Sequence, residues 1–350
     1  MKQIRLQCLL RQLRKHLIIM KRIVTLALVS VLSAACYGQQ HPGAEEFAAR
    51  AAEEYGLEPA EILALLENAR FRQSIVDAIS RPAEGKPWFE YRPIFITDKR
   101  IDGGVAFWRE HRALIDQAAE RFQVDPQVIV AIIGVETFYG RITGSYRVLD
   151  ALATLSFYYP DTGNDRSDFF SRELMQFLKL GAEEGLPLQE VTGSYAGAMG
   201  LGQFMPSSYR EYSVDLDGDG RRDLWSSMGD VIGSVANYLH RHGWVYSQPV
   251  TYAAPPTSDA DLSLVASRNY KPTQTVAELA AAGFTPAAPV SGDELAAIVR
   301  LEEEDGDAYW MVFNNFYVIT RYNRSPLYAM AVHELSEAIR QGFEAGESGT

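Results

Sequence analysis

Cysteine is nearly absent from these 350 residues: Cys8 and Cys36 are the only two, both close to the N-terminus. The body of the fold has no disulfide available and must be stabilised by its core. Zinc spacing is missing too. The histidines beyond the N-terminal segment (His41, His111, His240, His242, His333) neither cluster as ligands nor adjoin a serine or cysteine nucleophile motif. No repeat of solenoid type is present. Acid is absent from residues 1–35, which hold seven of the 33 basic residues; the remaining 26 face all 45 acids, a formal charge of −19. A surface of that sign disfavours nucleic acid and acidic phospholipid. An uncharged or weakly charged polymer, held by stacking and hydrogen bonds, suits it better.

A hydrophobic fraction of 47%, with 16 Phe, 18 Tyr and 5 Trp, marks a folded protein, long enough for two or three subdomains. Its first residues are a targeting signal. Lys2, Arg5, Arg11, Arg14, Lys15, Lys21 and Arg22 precede an uncharged, mostly apolar run, 23–35, too short to span a bilayer. Met20 is an alternative initiator, since Met20-Lys21-Arg22 already supplies a basic start. Ser33-Ala34-Ala35-Cys36 resembles a bacterial lipobox, with Ser33 where leucine is usual and Leu32 one place early. Two outcomes remain open: lipidation of Cys36, or cleavage after Ala35 to a soluble periplasmic protein. Tyr37 after the cysteine, by resemblance to bacterial sorting rules, favours an outer-membrane anchor.

The periodicity predicts a mainly α protein (α+β) with a small antiparallel β element. Residues 43–81 read as helical, and 82–100, with prolines at 82, 87 and 93, as an irregular connection. One amphipathic helix is expected over 101–121, with Phe107, Trp108, Leu114, Ile115 and Ala118 as its stripe. Another should begin at Asp125-Pro126 and stop near Gly140. Residues 149–159 are apolar and close at Pro160, and helices are expected over 169–184 ending at Gly185, over 230–242 and over 324–343. Residues 246–292 are the least legible. Leu295–Leu301 and Trp310–Phe313, separated by an acidic run, suggest a hairpin. The expected division is a signal peptide at 1–35, a helical region and connection at 36–105 and a core at 106–245. An irregular and small β region, 246–312, and a C-terminal segment, 313–350, complete it.

Four constellations carry chemistry. The first is Glu136, the one carboxylate at the end of the otherwise uncharged helix Val130–Gly140. An ionised carboxylate is costly to bury, so it needs a cation, a shifted pKa or a chemical task. The helix dipole adds about 0.3–1 kcal/mol against negative charge there. Both effects favour the protonated acid. A structural ion pair with Arg141 or Arg147 is the rival reading. The second is the segment 193–206, with Gly193, Gly197, Gly200 and Gly202 in ten residues. These allow sharp turns and close approach of backbone to ligand. Ser194, Tyr195 and Gln203 add polar groups. It contains no Lys or Arg and follows no strand, which argues against a phosphate loop; a structural turn is the rival.

The third is Asp215-Leu216-Asp217-Gly218-Asp219-Gly220-Arg221-Arg222-Asp223, with acids at positions 1, 3, 5 and 9 of an EF-hand-like loop and glycine at 6. Arg221 at position 7 would offer its carbonyl. Ser226 stands where the closing Glu is usual, and Asp230 from the next helix could replace it. A structural Ca2+ ion is expected, and no organic cofactor. The fourth is aromatic and amide-rich: Asn314 to Tyr317, Tyr322-Asn323 and Tyr328, with Tyr238. These are either platforms for sugar rings or core aromatics with satisfied hydroxyls.

Together these segments resemble the membrane-bound lytic murein transglycosylase B family, from about Trp88 to Leu335. The likeness is densest at 130–140, 149–160, 193–208, 232–244 and 316–332. The resemblance implies a lysozyme-like core over 106–245, a single catalytic glutamate at Glu136 and a calcium loop at 215–230. It further implies a saccharide cleft to which Ser194, Gln203, Tyr238, Tyr322, Asn323 and Tyr328 match. The loop departs from the family pattern by one extra residue before Asp230, which puts that ligand in question. The implied reaction cleaves the β-1,4 bond between N-acetylmuramic acid and N-acetylglucosamine and leaves 1,6-anhydromuramoyl ends. Glu136 would act first as acid and then as base, without the second carboxylate of ordinary glycosidases. Implied partners are peptidoglycan strands and cell-wall synthesis or remodelling complexes. A water-using muramidase and a non-catalytic murein-binding scaffold are the alternatives.

Overall fold

The computed structural model describes residues 40–81 and 85–347, so the signal segment, Cys8 and Cys36 lie outside the described residues. The described chain groups into two compact units that divide after Arg70. In the first, helix α1 (Ala44–Tyr55) is closed by Gly56 in the left-handed conformation. Helix α2 (Pro59–Leu66) starts with proline in its first turn, where no amide bond is lost. Phe47, Ala48 and Ala51 of α1 and Ile62 and Leu66 of α2 are buried.

The second unit holds α3 (Gln73–Ile79), α4 (Trp88–Phe95), α5 (Asp98–Glu110), α6 (Arg112–Phe122) and α7 (Pro126–Thr137). These are followed by α8 (Val148–Phe157), α9 (Ser167–Glu184), α10 (Pro206–Tyr212) and α11 (Met228–Arg241). After a short α12 (Val276–Ala281), α13 (Asn314–Tyr322) and α14 (Pro326–Glu347) close the chain. The mainly helical architecture is as the periodicity predicts.

Two expectations differ in detail. The single helix over 101–121 is broken at His111, whose backbone (φ −107°, ψ 21°) leaves the helical region. The break has a packing cause. Helix α5 lies against α14 and α6 lies against α11, and one straight stripe could not serve both. The connection 82–100 is not irregular throughout, because Trp88–Phe95 is helical with Pro93 inside it. That proline removes a backbone donor, and the helix ends two residues later. Full burial of Trp88 and near-full burial of Tyr91 offset the loss.

The β element is larger than its sequence suggests. Strands β5 (Leu295–Glu303) and β6 (Gly306–Val312) form the hairpin, with Glu303 opposite Gly306, so the acidic run belongs mostly to strand ends. Strands β3 (Thr251–Ala253) and β4 (Gln274–Thr275) extend it to an antiparallel sheet of order β3-β6-β5-β4. Its core comprises Ala254, Val276, Leu279, Phe284, Ala296, Ile298, Met311 and Phe313. A signal in the illegible stretch was available: Thr275 and Glu278 form a capping box that starts α12. A two-stranded ribbon, β1 (Tyr146–Arg147) with β2 (Thr192–Gly193), joins the segment after α7 to the glycine-rich segment.

Candidate active site

Helix α7 is deeply buried, with every residue from Val128 to Val135 inside. Asp125 stands at its N-cap as expected, yet makes no side-chain cap bond. Its carboxylate instead accepts from Trp244 Nε1 at 2.8 Å and from the Ser247 amide, tying α7 to the chain beyond α11. At the other end three successive left-handed residues, Phe138, Tyr139 and Gly140, stop the helix at Thr137. Two of these are not glycine, a costly arrangement. It is held by the Tyr139 ring, whose hydroxyl donates to Arg100 O at 2.8 Å. Gly104 and Gly134 make room for it: a Cβ at Gly134 would lie 2.6 Å from that hydroxyl.

Glu136 thus sits, half-buried, in the last turn of a rigid helix. Its Oε1 accepts a hydrogen bond of 2.5 Å from the hydroxyl of Tyr328, in the first turn of α14. Burial, and next the Glu136 carboxylate, hold that phenol well above its ordinary pKa, so it stays a neutral donor. Of the two arginines considered as counter-ions, Arg147 pairs with Asp150 at 3.4 Å and Arg141 lies over the Phe138 ring.

The glycine-rich segment is pinned beside this carboxylate from two sides. Thr137, next to Glu136, donates through its hydroxyl to Leu201 O at 2.9 Å and accepts from the Gly140 amide. Tyr322, the last residue of α13, donates to Gly202 O at 2.6 Å. Ser194 folds the segment on itself, its hydroxyl oxygen accepting from the amides of Ala196 and Ala198. Gln203 is left-handed (φ 51°), and its amide nitrogen is engaged by Thr143 O and Gly200 O. Its carbonyl oxygen is the group it can offer a ligand. Asn323 follows Tyr322 and accepts from the Ser325 amide at 3.1 Å.

Tyr238 is one of the buried site aromatics, with Tyr328 and Phe204. It gives its hydroxyl to Arg321 O at 2.5 Å, and packs on Tyr322 at 4.7 Å and on His242 at 4.2 Å. Phe204 completes the cluster, with its ring 5.7 Å from both tyrosines. Sequence reasoning missed Thr137 and Tyr139 as parts of the site. Their signal was the unusual Thr-Phe-Tyr-Gly helix end, read only as a stop.

In the aspartate loop, Asp215, Asp217 and Asp230 bring ligand oxygens within 4.8 Å of one another. The extra residue before Asp230 is accommodated. The buried Asp230 carboxylate accepts from the amides of Leu216 and Asp223 and so sits beneath the loop. Burial, opposed by those amides, raises its pKa, and Asp217 adds to the rise. Asp219 and Asp223 stand outside this trio; Asp219 accepts from the Arg221 amide and Asp223 from the amides of Trp225 and Ser226. Ser227 escaped the sequence reading. It caps α11 by accepting from the Asp230 amide and donates to Asp217 at 2.6 Å. Three converging carboxylates, hard oxygen donors on a loop turning at left-handed Gly218 and Gly220, fit a calcium ion.

Residues 39–337 match the family model described as the transglycosylase SLT domain. The chain is 40% identical over 309 residues to membrane-bound lytic murein transglycosylase B of Escherichia coli (strain K12), covering 85% of this chain and 83% of that protein. It is 47% identical to the soluble lytic transglycosylase SltB1 from Pseudomonas aeruginosa, covering 86% of this chain and 99% of the other, with a TM-score of 0.78. The Escherichia coli lytic transglycosylase Slt35, solved in complex with calcium, matches at 39% identity and a TM-score of 0.76. That match covers 87% of this chain and 94% of the other. The chain belongs to the transglycosylase SLT family and is a lytic murein transglycosylase acting on peptidoglycan.

Proposed function

We propose that Glu136 performs both proton transfers of that reaction. The observation that carries this is its 2.5 Å hydrogen bond from Tyr328 at the end of an otherwise uncharged helix, beside a segment pinned by Thr137 and Tyr322. Protonated Glu136 gives its proton to the glycosidic oxygen between N-acetylmuramic acid and N-acetylglucosamine as the C1–O bond breaks. The oxocarbenium-like charge is met by the substrate's own 2-acetamido oxygen. The resulting carboxylate takes the proton of the muramoyl 6-hydroxyl, whose oxygen closes on C1. A 1,6-anhydro end forms without water.

Ser194, Gln203, Tyr322 and Asn323 would hold the sugars, and Tyr238 would support Tyr322 from behind. Asp215, Asp217 and Asp230, with the Arg221 carbonyl, would hold calcium as a structural ion that relieves their mutual repulsion, with Asp219 and Asp223 available to turn toward it. The chain's place would be the periplasm, anchored through a lipidated Cys36 to the outer membrane, within reach of cell-wall synthesis or remodelling complexes.

The test is Glu136→Gln, which keeps shape but cannot deliver a proton. Murein lysis should fall at least about a hundredfold. The wild-type products should be lighter than hydrolysis products by one water. Reducing muramic ends alone would favour the hydrolytic muramidase. Near-normal turnover by a folded variant would remove Glu136 from the chemistry.

A further inference from the structure

In a chain whose acids outnumber its bases so heavily, one place beside the proposed active site gathers positive charge instead. Lys99 Nζ lies 5.7 Å from the centre of the Phe138 ring, the Arg100 guanidinium 5.0 Å and the Arg141 guanidinium 4.8 Å. Phe138 is two residues from Glu136, and its left-handed backbone fixes where the ring stands. Lys99 and Arg141 are exposed and Arg100 is half-buried. Asp98 and Asp102 are near them in sequence, yet none of the three cations is in an ion pair with a carboxylate of the described residues. Arg100 gives Nη1 to Ile94 O at 2.9 Å, while its Nε is buried with no hydrogen-bond partner.

The aromatic packing runs from this cluster back to the proposed catalytic pair. The Arg100 guanidinium lies 5.1 Å from the Phe95 ring, and Phe95 lies 5.1 Å from Tyr91. The Tyr91 hydroxyl is close enough to act electrostatically on Tyr328, the donor to Glu136.

Three like charges around one ring repel each other, and cation–π contacts at an exposed site return only about 0.5–1 kcal/mol each. An anion seated among them would relieve the repulsion, and guanidinium groups match carboxylates in shape. The glycan backbone of murein offers no strong anion. Its carboxylates are those of the stem peptide, attached to the lactyl group of the same muramic acid whose bond is cut. We propose that, given murein as the substrate, Lys99, Arg100 and Arg141 form a carboxylate-binding subsite for the stem peptide. The enzyme would thereby favour peptide-bearing over peptide-stripped strands. Phe138 is the platform that holds the three side chains in place.

Lys99 and Arg141 can be removed without opening the core, so Lys99→Ala/Arg141→Ala is the informative variant. Its kcat/KM should be measured on intact murein and on strands stripped of peptide by an amidase, with Tm recorded in parallel. The expected result is a loss of about tenfold on intact murein, carried by KM. Stripped strands should change by less than about twofold, and the wild-type preference should shrink as salt rises. Equal losses on both polymers, or a loss on neither, would overturn the subsite. A lowered Tm with equal losses would assign the cations to packing alone. Should the wild type leave both polymers uncut, the catalytic reading falls instead. Pull-down of the two polymers by wild type and variant would then decide the subsite on its own terms.

Discussion

Glu136 and Tyr328 are 192 positions apart and meet at 2.5 Å, a contact that no local pattern connects. Tyr328 was legible as a member of the aromatic group, but its partner was not. A hydroxyl hydrogen bond to an ionised group contributes about 1.5–3 kcal/mol. Tyr328→Phe keeps the ring and its packing while removing that bond. If the bond fixes the orientation of Glu136 through both proton transfers, kcat should fall by about tenfold to a hundredfold with little change in Tm, since each 1.36 kcal/mol is a factor of ten. Steady-state turnover of purified murein beside a melting curve makes the check. An unchanged kcat would reduce Tyr328 to a packing residue. Tyr238 shows the same relation. Its hydroxyl is engaged by the neighbouring Arg321 O and its ring packs on Tyr322, contacts between segments that the aromatic pattern alone does not pair.

At the scale of elements, the end of α7 depends on two glycines that make space rather than turn the chain. Gly134→Ala would gain about 0.5–1 kcal/mol of helix propensity. It would also press a methyl to 2.6 Å from the Tyr139 hydroxyl, an overpacking that costs about 1–3 kcal/mol. The second effect is the larger. We expect a lower melting temperature, and a variant at least as stable as wild type would show that Tyr139 can move aside. The aspartate loop gives the complementary case, in which an added ligand stabilises. Calcium bound only to the folded state raises Tm as its concentration passes Kd, here on the order of 10⁻⁴–10⁻³ M for an extracellular module. Melting curves from chelator to millimolar calcium should rise, and Asp217→Asn should blunt the rise. Flat curves would leave the three carboxylates without an ion. Most helices were legible because their apolar spacing and end signals agree, as at Gly185 and Pro126. The break at His111 was not, since it arises from two different packing partners, α14 and α11, that no local window contains. The strands flanking the hairpin were hidden for a related reason: β3 and β4 are three and two residues long, too short for alternation to register.

On the scale of the whole molecule, the charge is divided by position. Seven basic residues precede Ala35 and the acids all follow it, the order expected of an exported chain with an acidic mature surface. Among the described residues no helix is long and apolar enough to cross a membrane. A single acyl chain gives marginal, reversible binding, and stable anchoring needs more than one. A lipidated Cys36 would meet that need with several chains and hold the cleft near its polymer, raising the local concentration of murein without any new contact. Mass spectrometry of the mature N-terminus should find a start at Cys36 carrying the mass of the acyl groups. Cys36→Ala should move the enzyme to the soluble fraction while leaving turnover on soluble murein fragments unchanged, because Glu136 and the segments around it are all assembled beyond residue 70. A free, unacylated start at Cys36, or any start beyond it, would make this a soluble enzyme.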